Sequence, residues 1–437
     1  MDIKNKQQKV AIVGIGRVGL PLALVLADSG FIVYGIGRDP KKIDRIKQGK
    51  MPFIEKGADH LLKKYINSRF IPTTSYKIIK DVDIAILTLG TPIDENMNPV
   101  YDQIDIALKS MEPYLREGQL LILRSTVAPE TTEYVKLFIN DIRSLKVGKN
   151  FYLAFCPERI AEGQAIEEIR SIPQIIGGVD IKSTQAAENF FKQIGVECLI
   201  TDCISAELAK LFTNMYRYLS FAVANEFMVI ASNYHKDIYE IVNLVNKNYK
   251  RGGLALPGLT AGPCLFKDGL FLISDLPYAD LILTSWKINE SIPLFLVKKV
   301  RERLKLDGKK AVILGLAFKP EIDDIRESLS FKVRKAFLRE RAKVVLHDPY
   351  VVDYSRQVVE KDVYKALEGA EIVFIATNHK VYQELDQQKL RKIVNKNCVI
   401  CDVWNVFKTD KIVFTINSLN NNKYDQAKVS RKSVAIY

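Results

Sequence analysis

Short apolar runs punctuate the first part of the chain. Val10 to Val13, Phe31 to Tyr34, Asp83 to Leu87 and Gln119 to Leu123 are compact and rich in branched side chains, which predicts strands buried on both faces. Stretches of helical spacing separate them, and such alternation predicts a doubly wound parallel sheet. From Ser205 the texture changes, with apolar positions recurring at helical spacing to about Ser232. That predicts one long helix with Ser205 as its N-cap. A second strand and helix series follows from Lys310, with Ala311 to Phe318, Lys343 to His347, Ile372 to Thr377 and Cys398 to Val403 as its strands. The reading is α/β, α, α/β, with boundaries at 1–204, 205–305 and 306–437, and the polar tail from Ser418 is expected to fray.

A length of 437 residues, set against about 150 per domain, agrees with three domains. Hydrophobic residues at 48% and charged residues at 26% exclude a disordered or collagen-like chain. No apolar run reaches the roughly 18 residues of a membrane span, and the polar stretch from Met1 to Val10 lacks the apolar core of a signal peptide. The expectation is a cytoplasmic protein with no membrane partner. Six cysteines in such a chain are read as thiols. Cys398 and Cys401 stand three apart on one strand and so point to opposite faces, which argues against zinc and for no metal at all. The net charge of +13 is interleaved with acids, and no nucleic-acid motif accompanies it. A small polyanion is the expected partner, with a solvated basic surface as the alternative.

The first strand leads into Gly14-Ile15-Gly16-Arg17-Val18-Gly19, and helix follows. Glycines at this spacing allow a tight turn, close approach of backbone to a pyrophosphate, and close packing of helix on strand. This is a Rossmann-like dinucleotide site, with Gly14, Gly16, Arg17, Val18 and Gly19 as cofactor contacts. An acid for the ribose hydroxyls should end the second strand, but that strand ends Ile36-Gly37-Arg38-Asp39. Arg38 and Asp39 are the candidates for the adenosine end, the acid by swinging back to the ribose. Loss of the acid at the strand end predicts unusually weak discrimination against NADP, because a guanidinium suits a 2′-phosphate. The competing reading has Arg38 in solvent, stacked over adenine.

Reactive groups gather in three segments: Phe155-Cys156-Pro157-Glu158-Arg159-Ile160-Ala161-Glu162-Gly163, then Ala206 to Asn214 on the long helix, then Ala261-Gly262-Pro263-Cys264-Leu265-Phe266-Lys267-Asp268. Cys264 lies in a loop rich in Pro and Gly, which can present a thiol to a cleft, and a neighbouring cation favours the thiolate. Lys210, Asn214 and Arg217 stand at i, i+4 and i+7 and share a helical face. Leu208, Leu211, Phe212, Met215 and Leu219 spread around the rest, which predicts a largely buried helix with its polar stripe in a cleft. Glu158 is a candidate base, or else the partner of Arg159 or another surface cation.

With Gly90-Thr91-Pro92, Ser125-Thr126-Val127 and Gly315 to Pro320 followed by Asp323 to Ser328, these motifs closely resemble the nucleotide-sugar 6-dehydrogenase family over nearly the whole length. The resemblance implies two Rossmann-like domains joined by a central helical domain with one long helix. It also implies NAD as the cofactor and two oxidations at one site: an alcohol becomes an aldehyde, a cysteine captures it as a thiohemiacetal, and oxidation to a thioester precedes hydrolysis. By resemblance Cys264 is the nucleophile, Lys210 and Asn214 polarise oxygen, Asp268 assists through a water, and Glu158 activates the hydrolytic water. Thr91, Thr126, Glu162 and Arg326 lie near the cofactor. Phe318 and Lys319 contact a UDP-sugar, Arg251 reaches it across a subunit interface, and the central helices form a homodimer. Cys156-Pro157-Glu158-Arg159-Ile160 with Tyr216-Arg217 is similar to the UDP-N-acetylhexosamine branch, where Arg159 donates to an acetamido carbonyl beside Ile160.

Two places depart from the family pattern. The last strand ends Asp402-Val403-Trp404-Asn405 where relatives carry arginine at the third position, so Trp404 either stacks on uracil or caps the core. Ala261 and Pro263 also differ. The rival readings are a UDP-glucose dehydrogenase, a silent dinucleotide-binding regulator, and a single-step hydroxyacid dehydrogenase that needs no nucleophilic cysteine.

Overall fold

The computed structural model describes residues 8–421 apart from 97, 143, 274–278 and 355–356; most of the polar tail lies outside the described residues. The chain divides into two compact units, one taking the residues up to 213 with 270–273, the other 214–269 and 279 onward.

The first unit is built on strands β1 (Lys9–Val13), β2 (Ile32–Ile36), β3 (Phe70–Thr73), β4 (Ile84–Leu87), β5 (Leu120–Leu123), β6 (Tyr152–Phe155), β7 (Gln174–Gly178) and β8 (Cys198–Thr201). They form one sheet in the order β3-β2-β1-β4-β5-β6-β7-β8, antiparallel only between β6 and β7. Alternation along β1 divides the core. Val10 and Ile12 pack under helices α1 (Gly19–Asp28), α2 (Pro40–Lys47) and α3 (Ala58–Tyr65), whereas Ala11 and Val13 face α4 (Asp102–Met111) and α5 (Thr131–Asp141). Helices α6 (Ala165–Ser171) and α7 (Ile181–Lys192) return to the first face.

Helix α8 (Cys203–Asn233) carries the chain out of the first unit. It begins two residues before the expected Ser205. Its start is set by Asp202, whose carboxylate accepts the Ser205 N–H at 2.8 Å and the Ser205 hydroxyl at 2.6 Å. The Ser205 hydroxyl and then its N–H draw the Asp202 carboxyl below its usual range. Serine is thus the donor here and aspartate the cap. Leu211 and Met215 are buried as expected, but Phe212 is exposed and heads an apolar stripe on α8.

The second unit adds α9 (Ile238–Asn246), the part of α10 (Leu265–Ile273) up to Gly269, and α11 (Asp280–Arg301), then strands β9 (Lys310–Leu314) and β10 (Lys343–His347), a short ribbon of β11 (Asp353–Tyr354) and β12 (Gln357–Val358), and β13 (Ile372–Ile375), β14 (Val399–Asp402) and β15 (Val413–Thr415). Its sheet runs β10-β9-β13-β14-β15, antiparallel only at β14 and β15. Helices α11 and α12 (Ser330–Arg339) cover one face, and α13 (Val363–Leu367), α14 (Lys380–Gln383) and α15 (Gln387–Ile393) the other. Cys401 belongs to the first of these cores and Cys398 to the second, the opposite facing that their spacing predicts. The first strand of this sheet stops at Leu314 rather than Phe318, because Gly315 turns the chain at φ +94°. Among the described residues no helix is long and apolar enough to cross a membrane, and no cluster of His, Cys, Asp or Glu is placed to hold a metal.

Candidate active site

In the first unit each glycine of the loop after β1 has its own physical reason. Gly14 has φ +102°, and a Cβ there would lie 2.7 Å from the Thr88 carbonyl oxygen. Gly19 sits where a Cβ would fall 2.1 Å from the Gly14 oxygen, so α1 packs directly on the turn. Gly16 faces open space. Val18, at the N-cap of α1, gives no side-chain bond to the first-turn N–H groups. Open backbone at Gly16 and an uncapped helix start fit a dinucleotide pyrophosphate. Nearby, the Thr91 hydroxyl donates to the Thr126 carbonyl at 2.6 Å. Arg17 pairs with Glu162 at 3.8 Å and lies over the Phe53 ring at 5.0 Å. Arg17, Glu162, Thr91 and Thr126 thus all belong to this unit.

Glu158 is buried, and its partner is not Arg159 but Arg124, another buried side chain. Glu158 Oε1 also accepts the N–H groups of Arg159 at 2.7 Å and Ile160 at 3.0 Å. Arg124 in turn donates to Gln174 Oε1 at 2.7 Å and to the Cys156 carbonyl at 3.3 Å. The Arg159 guanidinium donates to the Pro173 carbonyl, and burial lowers its pKa against the opposing pull of Glu158. The following turn is fixed by Glu55, which accepts the Gly163 and Ala165 N–H groups at 2.8 Å each. Arg124 and Glu55 were not legible as functional support, since both act on residues far away in sequence. Lys210 is buried on α8 within this unit.

The second unit holds the thiol. Burial pushes the thiols of Cys203 and Cys398 up to about 12, and those of Cys156, Cys198 and Cys401 also upward. Cys264 is the exposed one of the six cysteines. It stands at the start of α10, where its carbonyl accepts the Lys267 and Asp268 N–H groups at 3.2 and 2.9 Å. Helix N-termini and cations promote thiolate character. Asp268 is fully buried: Asn214 Nδ2 donates to its Oδ2 at 2.5 Å, and Lys267 Nζ lies 3.7 Å from its Oδ1. A fixed amide beside an ammonium and a carboxylate can stabilise negative charge on an oxygen.

The loop before Cys264 is fastened at two glycines. The Asn225 side chain accepts the Gly258 N–H at 3.0 Å and donates to its carbonyl at 3.1 Å. A Cβ on Gly258 would lie 2.4 Å from Trp404 Cζ3, and one on Gly262 2.7 Å from the Phe318 ring. Trp404 Nε1 donates to the Ala376 carbonyl at 2.9 Å, so the ring caps the core and backs the loop at once. Gly258→Ala should therefore destabilise the protein by about 1–3 kcal/mol through overpacking. Trp404→Leu should recover part of that loss in the double variant, read by denaturant unfolding. Strictly additive costs would separate the two positions.

At the carboxyl end of the second sheet, Gly315 packs against Thr377 much as Gly14 packs against Thr88: a Cβ on Gly315 would lie 2.4 Å from Thr377 Cβ. The backbone cradle differs. Asp348, just after β10, accepts the Leu316 and Ala317 N–H groups at 2.6 and 3.1 Å on one oxygen and those of Tyr350 and Val351 at 2.8 and 3.0 Å on the other. Burial would raise this carboxyl, but the His379, Leu316 and Tyr350 N–H groups bring it below its usual value. His379 Nδ1 accepts the Glu321 N–H at 3.0 Å, leaving Nε2 as the donor to Asp348 at 3.3 Å. Phe318 and Lys319 are half-buried on this loop. Arg326 is held by Asp324, its Nε 3.0 and 2.9 Å from the two carboxylate oxygens. Arg217 is half-buried on α8, and exposed Arg251 stacks over Tyr249 at 5.2 Å.

Three family models cover most of the chain: the NAD binding domain of the UDP-glucose/GDP-mannose dehydrogenase family matches residues 8–195, the central domain 204–291, and the UDP binding domain 312–409. The UDP-N-acetyl-D-mannosamine dehydrogenase of Methanocaldococcus jannaschii is 32% identical over 410 residues, covering 92% of this chain and 93% of that protein. The solved UDP-D-ManNAc dehydrogenase of Pyrococcus horikoshii superposes with a TM-score of 0.83 at 29% identity, covering 89% and 93% of the two chains. The UDP-N-acetyl-mannosamine dehydrogenase of Staphylococcus aureus gives 0.82 at 30% identity, over 91% and 95%. With an NAD-binding sheet, a long central helix and a second sheet of its own, this chain belongs to the UDP-glucose/GDP-mannose dehydrogenase family and is an NAD-dependent oxidoreductase.

Proposed function

We propose that the protein oxidises the C6 hydroxyl of a UDP-N-acetylhexosamine, UDP-N-acetylmannosamine before UDP-N-acetylglucosamine, to the uronic acid with two equivalents of NAD. The observation that carries the two-step reading is Cys264, an exposed thiol at the start of α10 beside a buried Asn214–Asp268 pair. The names of the relatives support the sugar, as does Arg159 within the Cys156 to Ile160 motif.

Bound at the glycine loop, NAD supplies the hydride acceptor for both oxidations. The chain does the rest. Lys210 and Asn214 donate to the sugar oxygen as it gains negative charge, and Asp268 holds the Asn214 amide in that orientation. The Cys264 thiolate adds to the aldehyde carbon, and the carbonyl oxygen takes a proton to give the thiohemiacetal. After the second oxidation, water adds to the thioester with Glu158 accepting its proton, the C–S bond breaks, and the thiol is regenerated. Residues 1–204, 205–305 and 306–437 are assigned the cofactor, central and UDP-sugar roles, with Phe318, Lys319, Arg217 and Arg251 given to the sugar nucleotide.

A homodimer accompanies this reading. Tyr216, Val223, Phe227, Ile230 and Tyr234 form an exposed apolar stripe at helical spacing along and just beyond α8, the kind of face that a second copy covers.

The test is a panel of UDP-sugars with product mass spectrometry and cofactor stoichiometry. Expected are two reduced cofactors per sugar acid and the highest kcat/KM for UDP-N-acetylmannosamine. A higher kcat/KM for UDP-glucose than for both N-acetylated sugars refutes the substrate. One reduced cofactor per product refutes the thioester route.

A further inference from the structure

The second strand of the NAD-binding sheet is followed by a glycine and a cation, where Rossmann sheets carry an acid. In Rossmann sheets an acid at the end of the second strand binds the ribose hydroxyls and repels a 2′-phosphate, whereas a nearby arginine accommodates one. Here β2 ends at Ile36, whose carbonyl accepts the Gly14 N–H at 2.9 Å, so the strand end lies beside the glycine turn. The next residue is Gly37. A Cβ on it would lie 2.9 Å from Ile43 Cδ1 and 3.1 Å from Ile15 Cγ1, so any side chain there would first have to push two isoleucines aside.

The displaced acid, Asp39, is committed elsewhere. Its Oδ1 accepts the Lys41 N–H at 2.9 Å and the Lys42 N–H at 3.4 Å, capping α2, with Pro40 in the first turn. Moving it to the ribose would uncap that helix, a cost of about 0.5–2 kcal/mol. Arg38, between Gly37 and Asp39, is exposed, and Lys41 follows it, also exposed. The Arg38 charge is felt by the neighbouring half-buried Tyr76, whose hydroxyl burial raises and Arg38 lowers. Arg38 follows β2 and Tyr76 follows β3, and these strands pair in parallel, so both residues lie at the carboxyl end of this sheet.

We infer that this site takes 2′-phosphorylated dinucleotide as well as NAD, with the Arg38 guanidinium on the 2′-phosphate. The inference rests on the dehydrogenase reading but is tested by binding alone. Calorimetric titration of the full chain with NAD+ and NADP+, and competition between adenosine 2′,5′-bisphosphate and 5′-AMP, give the affinity ratios directly. Expected is an NADP+ dissociation constant within about tenfold of that for NAD+, with the ratio shifted against NADP+ by about tenfold in Arg38→Ala and further in Arg38→Glu, since a bidentate charged contact is lost. A native ratio beyond tenfold against NADP+, or a ratio that neither substitution moves, overturns the inference while leaving the NAD reading intact. Failure of both dinucleotides to bind overturns the dehydrogenase reading itself, and the inference with it.

Discussion

Cys264→Ser is expected to end release of the sugar acid, lowering turnover by about 10³-fold or more, as removal of a catalytic nucleophile does. NAD+ binding should survive, because the glycine loop belongs to the other compact unit. The remaining five cysteines offer no substitute: Cys156 and Cys401 are fully buried, and burial raises the thiols of Cys198, Cys203 and Cys398. Acid quenching of the native enzyme followed by intact-protein mass spectrometry should show a sugar adduct that Cys264→Ser lacks. Sugar acid released by the variant at the native rate would remove Cys264 from the reaction.

Asn214→Ala should reduce kcat by about 10²–10³-fold with a smaller change in KM, the usual cost of one preorganised donor to an oxyanion. The loss has two parts. The oxygen loses its donor, and Asp268, wholly buried, loses the amide at 2.5 Å, with Lys267 standing farther off at 3.7 Å. Asn214→Asp separates these parts. It sets a second carboxyl against Asp268, and two such groups in a buried site share a proton rather than both ionise. Its rate should accordingly recover toward low pH, whereas that of Asn214→Ala should not. Stopped-flow pH profiles of the two variants distinguish them, and parallel profiles would mean that the Asn214–Asp268 contact plays no part in the chemistry.

The sheets and the long helix were legible because buried parallel strands and amphipathic helices write their periods locally. Val10 to Val13 and Lys343 to His347 fall within observed strands, and Cys398 and Cys401 face opposite cores. Boundaries were less legible where a single residue decides them, as at Asp202 and Gly315. At the site, local signals such as the glycine spacing and the i, i+4 step from Lys210 to Asn214 could be read from the chain. The partners could not. Arg124 meets Glu158 across 34 positions, Trp404 meets Gly258 across 146, and Asp39 serves a helix N-terminus that the β2 pattern alone does not reveal. Contacts between distant segments depend on packing, which leaves no periodic trace.

The Asp348 carboxylate on the Leu316 and Ala317 amides has a kinetic consequence. Two glycine turns follow the first strands of two sheets, but after the second an internal carboxylate takes the Leu316 and Ala317 N–H groups. Among the described residues the backbone after β1 is open at Gly16, whereas the turn after β9 is engaged by Asp348. A four-electron oxidation that draws on a two-electron carrier must then pass two carriers in succession through the same berth. Under the proposed reaction the half-oxidised sugar has to outstay the first carrier. Its residence time, secured by the bond to Cys264 and by a UDP grip in a separate domain, must exceed the time for carrier exchange. Leakage of free aldehyde would measure how narrowly that race is won.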